Sequence, residues 1–129
     1  MRILTATILA AALALPAHAR TPSDIPEVVE RLLVVGMADE LREQCGDVSA
    51  RVVRAIGYLR ETAQVALDAG FTRAEVEAYV DDDAEKERLR GIAHRLLLDL
   101  GVQEGDEASY CAVARGQIEG GTAVGRLLR

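Results

Sequence analysis

The chain has 129 residues, with 21 acidic against 15 basic side chains, a net charge of −6, and three tyrosines and one phenylalanine as its aromatic content. An acidic chain gains nothing from neutralising phosphates, so nucleic acid is excluded as a partner and an anionic membrane surface is a poor one. The length admits one compact domain and not two.

The first segment reads as a leader. Met1-Arg2 opens into the apolar run Ile3 to Leu15, followed by Pro16 and Ala17-His18-Ala19, the pattern of a secretory signal peptide with an A-x-A cleavage site. The run is shorter than the ~20 residues a spanning helix needs and Pro16 breaks it, so no stable membrane insertion is expected after cleavage. Residues 1–19 are therefore assigned to a cleaved leader and 20–129 to a single domain of 110 residues. Loss of Arg2 moves the net charge to −7. Such a leader directs the chain to the periplasm, where two cysteines in one chain are most simply one disulfide, Cys45–Cys111. Closing so long a loop stabilises a fold by about 4 kcal/mol on the chain-entropy account.

In chain order, Thr21 to Pro26 is an extended lead-in. Asp24 before Pro26 and Glu27 resembles a capping box for a first helix that ends at Cys45, stopped by Gly46. Its middle, Leu32 to Ala38, is apolar on all sides, which places it at the centre of a bundle or under a partner. Ser49 is the expected cap of a second helix reaching Ala69, with Gly70 as its stop. Val52, Val53, Ile56, Leu59, Ala63, Ala66 and Leu67 fall at helical spacing and predict its buried stripe. Thr72 and Glu75 form a capping box for a short third helix ending near Asp81, with Phe71 and Val76 as a hydrophobic staple. Asp82 or Asp83 caps a fourth helix with the stripe Leu89, Ile92, Ala93, Leu96, Leu97, Leu100, stopped by Gly101. Asp106 starts a fifth that carries Cys111 and ends about Glu119, and Thr122 is placed to cap a last one, Ala123 to Leu128. No strand-like alternation and no repeat accompany them. The expectation is an all-α fold: one small irregular helical bundle of about five or six helices, stapled by one disulfide.

No candidate for chemistry outweighs its structural explanation. Asp81-Asp82-Asp83 with Glu85 suggests calcium, but Lys86 stands where the calcium loop needs glycine and Ile92 where it needs the bidentate glutamate, leaving helix capping as the use of these charges. His94 is the only histidine beyond the leader and lies beside the stripe of the fourth helix. It lacks a nucleophile partner and the ligands zinc would require, so a hydrogen-bonded, partly buried role is expected. Acid-base work by a carboxylate pair would need an aromatic platform to hold a sugar, which the composition does not supply. The glycines of Gly116 to Gly125 follow a helix rather than a strand, which favours close helix packing over a phosphate cradle. In Ser109-Tyr110-Cys111, Cys111 is half of a clamp, and Tyr110 keeps an open role, with core packing the expected one. Neither catalytic residue, nor metal ligand, nor cofactor is assigned.

Several short motifs, in order, carry a resemblance: Cys45, Gly70-Phe71-Thr72 with Glu75-Val76, Asp83-Ala84-Glu85-Lys86, Tyr110-Cys111-Ala112-Val113-Ala114-Arg115, Gly120-Gly121-Thr122, and Gly125-Arg126-Leu127-Leu128. With these the chain resembles a family of small exported alphaproteobacterial proteins, a domain of unknown function. The resemblance implies an exported helical protein with a shared cysteine pair and no assigned activity, in an accessory role near a respiratory membrane complex, the NADH dehydrogenase.

The expected function is therefore that of a non-enzymatic periplasmic protein that binds another protein or serves as a structural accessory. The alternative is a small-molecule-binding bundle with a pocket lined by Leu, Val and a tyrosine among Tyr58, Tyr79 and Tyr110. An acid-base enzyme using His94 is the third reading, and it requires His94 to face a cleft with a carboxylate in reach.

Overall fold

The computed structural model describes residues 19–129; the leader expected over residues 1–19 lies outside them but for Ala19. Five helices make up the described residues: α1 Pro26–Gln44, α2 Val52–Asp68, α3 Arg73–Asp81, α4 Asp83–Leu100 and α5 Glu107–Glu119, with 3₁₀ turns at Pro22–Asp24 and Gly125–Leu127. The fold is all-α, and among the described residues there is no strand longer than the single bridge Ala50–Leu128. No described helix is long and apolar enough to cross a membrane.

The apolar middle of α1 makes it the hub, packed on α2, α4 and α5. Met37, Ala38 and Leu41 of α1 meet Ala93 and Leu97 of α4 and Ala114 of α5 in the main core. Gly36 lets α4 approach closely, since a Cβ there would lie 3.2 Å from that of Ala93. A second, smaller cluster gathers Val28, Ala66 and Phe71, with Val76 packed on it as the staple requires. Phe71 fixes that corner, and the Arg20 guanidinium lies 5.2 Å from its ring centre.

Helix ends follow local chemistry. Thr72 and Glu75 exchange capping bonds, with Glu75 N donating to Thr72 Oγ1 and Thr72 N to Glu75 Oε2. Asp82 accepts from Glu85 N and starts α4, and Asp106 accepts from Ala108 N and starts α5. Gly101 takes a left-handed φ of 110°, so that Gly101 N reaches Leu98 O and Val102 N reaches Leu97 O. Val102 is thereby folded back into the core. At the start of α1 the expectation fails: Asp24 accepts from Thr21 N and closes the preceding 3₁₀ turn, leaving Ile25 as an N-cap without a side-chain bond.

Cys45 and Cys111 are bonded, 66 positions apart in sequence, and both are buried. The bond pins the end of α1 to the second turn of α5. Beside it Gly46 N donates to Glu107 Oε1 at 3.0 Å.

Three further expectations are corrected. Of the expected α4 stripe Ala93 and Leu97 are buried, whereas Leu96 and Leu100 are exposed. Ser49 does not cap α2: its Oγ accepts from Arg129 Nε at 3.2 Å, its N–H and carbonyl pair with the Arg129 backbone (2.8 and 2.9 Å), and Arg51 N reaches Leu127 O. The helix consequently starts at Val52. The expected last helix, Ala123 to Leu128, shrinks to the turn Gly125–Leu127, since the tail must extend to make that bridge. Gly125 sits against the backbone of Gln117 and Ile118 so tightly that a Cβ would overlap the Gln117 carbonyl. The close packing expected of the tail glycines is real at this position, whereas a Cβ on Gly116 would meet nothing.

Candidate functional site

The largest departure from the sequence expectation lies on α2. Val52 is 61 %, Val53 87 %, Ile56 45 % and Leu59 40 % exposed, although they head the stripe predicted to be buried. Ala66 of the same stripe is buried as expected, and towards α1 it is joined by Tyr58 and Thr62 of the adjacent row. Arg31 of α1 explains the rotation: its Nε donates to Thr62 Oγ1 at 3.0 Å, its guanidinium lies 4.2 Å from the Tyr58 ring centre, and it pairs with Glu61 at 3.0 Å. Thr62 is itself satisfied through Tyr58 O. Polar and small residues thus take the inner position, and α2 turns its larger aliphatic residues outward.

Two of these outward residues, Ile56 and Leu59, line one wall of a cleft of about 380 Å³. Val28 and Leu32 of α1 make its floor, Ile56, Leu59, Ala63 and Leu67 one side, and Val76, Tyr79 and Val80 of α3 the other. Arg60, Arg73 and Glu77 stand at its lining as the charged residues. Of the three tyrosines considered for a pocket, only Tyr79 lies here. Tyr58 packs under Arg31, and Tyr110 is in the main core.

Tyr79 is held by its own network. Its hydroxyl donates to Glu85 Oε1 at 2.7 Å, and Glu85 also receives both Arg88 Nε and a terminal nitrogen of the same guanidinium. Burial pushes the phenol pKa well up, with the Glu85 hydrogen bond adding to it, while Arg88 holds the Glu85 carboxyl below its ordinary value. The phenol stays protonated and orients α3 against α4. The neighbouring acids are used as the sequence suggests: Asp82 caps α4 and Asp83 pairs with Lys86 at 3.1 Å.

His94 sits between two carboxylates on an open groove lined by Val35, Gly36, Asp39, Glu43, Glu87 and Arg90 as well. Its Nδ1 lies 2.7 Å from Glu40 Oε1 and its Nε2 2.8 Å from Glu104 Oε1; the Tyr110 hydroxyl donates to the same Glu40 oxygen at 3.2 Å. The hydrogen bond to Glu40, then that to Glu104, raises the imidazole pKa. A carboxylate is within reach, as an acid-base role would require, but both ring nitrogens are engaged and the raised pKa favours the cation. A substrate would have to displace Glu104 before meeting a ring nitrogen. Glu40 and Glu104, respectively 54 and 10 residues from His94, were not identifiable from any local pattern.

Cys45, Asp47 and Cys111 come close enough to suggest metal ligands, yet the two sulfurs are spent on each other. That position is structural. The disulfide is as the sequence predicts, whereas Ile56 and Leu59, which line the cleft, were expected in the core.

Residues 21–129 match the pattern of a Family of unknown function (DUF5333). No curated protein and no solved structure matches the chain.

Proposed function

The chain belongs to the DUF5333 family, and from that premise we propose that it is a non-enzymatic exported protein that works in the periplasm by binding another protein through the outward face of α2. One observation carries the reading: four large aliphatic residues of one helix, Val52, Val53, Ile56 and Leu59, are 40 % or more exposed. Scattered exposed aliphatics are ordinary, but a run along one helix beside an apolar cleft is the signature of a covered face. The engagement of both His94 nitrogens and the oxidation of both cysteines support a binding role over catalysis. Retention of a periplasmic protein by the immobilised wild type, and its loss with Ile56→Asp/Leu59→Asp, is the expected result. A wild type that retains nothing reproducibly would end the proposal.

The cleft favours a second reading, a bundle that binds a small apolar molecule. Its volume lies within the usual range for ligand sites and its walls are mostly aliphatic. Extraction of the purified protein with organic solvent, followed by mass spectrometry, tests it; a clean extract and no displacement of an apolar dye would remove it.

A further inference from the structure

We propose that the occupant of the α2–α3 cleft is an amphipathic α-helix of another protein, with acidic residues flanking its apolar stripe; this rests on the reading of α2 as a docking face. Three observations converge on it. The first is extent. Val52 and Val53 continue the exposed apolar surface beyond the cleft, one turn before Ile56, so the surface from Val52 to Leu67 runs about 22 Å along α2 at ~1.5 Å per residue. A small molecule confined to the cleft leaves its first turn uncovered, whereas a helix of about four turns laid into the groove spans it with anchors at i, i+4, i+7 and i+11.

The second observation is charge. The chain is acidic overall, yet the cleft carries Arg60 and Arg73 against Glu77. Among the described residues none of the ion pairs uses Arg60 or Arg73. Unpaired guanidinium groups beside an apolar groove are complementary to carboxylates on the rim of a bound helix.

The third weighs against a second copy of this chain as the occupant. A two-fold pairing centred on the middle of the exposed surface, between Leu59 and Arg60, would bring two copies of Arg60 together, with like charges facing across an apolar contact. A partner with the opposite flanking charge avoids that cost.

The test uses two synthetic helical peptides with one identical apolar stripe, flanked by glutamates in one and by lysines in the other, titrated into the purified protein by fluorescence anisotropy. The acidic peptide is expected to bind at least tenfold more tightly than the basic one. Ile56→Asp should abolish its binding, and Arg60→Glu/Arg73→Glu should reverse the preference. Circular dichroism and melting of each variant show that the fold is kept, and the charge-reversal pair serves as the readout should Ile56→Asp fold poorly. Equal binding of both peptides, no binding of either, sedimentation with phosphatidylglycerol vesicles in place of peptide binding, or a dimer that dissociates with Ile56→Asp would each overturn the inference. If neither peptide binds while a periplasmic protein is still retained by wild type and lost with Ile56→Asp/Leu59→Asp, the helix is wrong and the docking face stands. Loss of both results retires both.

Discussion

His94 and Tyr110 meet at a single atom: the Oε1 of Glu40 lies 2.7 Å from His94 Nδ1 and 3.2 Å from the Tyr110 hydroxyl. Three helices are joined at that oxygen, α4 through His94, α5 through Tyr110 and α1 through Glu40, while Glu104 closes the other side of the imidazole. The hydrogen bond to Glu40 and then that to Glu104 raise the His94 pKa in the folded chain. A raised folded pKa means that folding favours the protonated ring. Its stabilisation is fully present below the unfolded value of about 6.5 and is lost as the pH rises through the higher folded value. Wild type should therefore melt a few degrees above His94→Gln in mildly acidic buffer, with the gap closing on the alkaline side. Paired melting curves across that range check it; a gap that widens with pH would mean the imidazole is held neutral.

Reduction of the Cys45–Cys111 bond should lower the melting temperature markedly. The bond closes a loop of 66 positions and ties α1 to α5, so the unfolded chain gains freedom worth about 4 kcal/mol when it is cut. For a domain of this size that corresponds to a fall on the order of 15 °C. Calorimetry with and without reductant, and of Cys45→Ala/Cys111→Ala, measures it. An unchanged melt would show that the bond contributes nothing to the fold.

Most of the fold was legible because its punctuation is local. The Thr72–Glu75 box, the Gly101 stop, and the Asp82 and Asp106 caps each depend on residues within five positions of one another, and the structure places them as read. What was not legible depends on distant partners. The stripe Val52, Ile56, Leu59 is the better hydrophobic row on α2, and periodicity alone assigns it to the core. Arg31, about thirty residues away, decides otherwise by binding Thr62 and Tyr58. Ser49 likewise looked like a cap until Arg129 claimed its backbone. The same long-range choice that misled the reading of α2 produced the cleft, so the candidate site was hidden wherever the core was misassigned.

The tail offers a contrast between two glycines. Gly125→Ala would push a methyl into the Gln117 carbonyl, and backbone cannot yield as a side chain can. A loss of about 1 to 3 kcal/mol is expected, with faster amide exchange at Ser49 and Arg129, whose bridge depends on the docked tail. Gly116→Ala places its methyl in open space within α5 and should raise stability by up to about 1 kcal/mol through helix propensity. Urea denaturation of the two variants, read beside exchange at those amides, separates the effects. Similar losses for both would show that Gly125 is not a contact point.

The assignment of α2's outward face can be tested by stability alone, without any partner. Leu97 is fully buried in the main core, and Leu97→Ala should cost about 2 to 5 kcal/mol through the cavity it leaves. Ile56 and Leu59 are 45 % and 40 % exposed, so folding gains little from them and Ile56→Ser or Leu59→Ser should each cost about 1 kcal/mol or less. Sequence periodicity makes the opposite prediction, since both residues head the most hydrophobic row of α2. Urea midpoints compared at constant slope decide between the two. Serine substitutions as costly as Leu97→Ala would place Ile56 and Leu59 in the core and remove the docking face. Near-neutral ones mean that the chain keeps two large aliphatic side chains where folding does not need them, which is the energetic mark of a surface retained for contact.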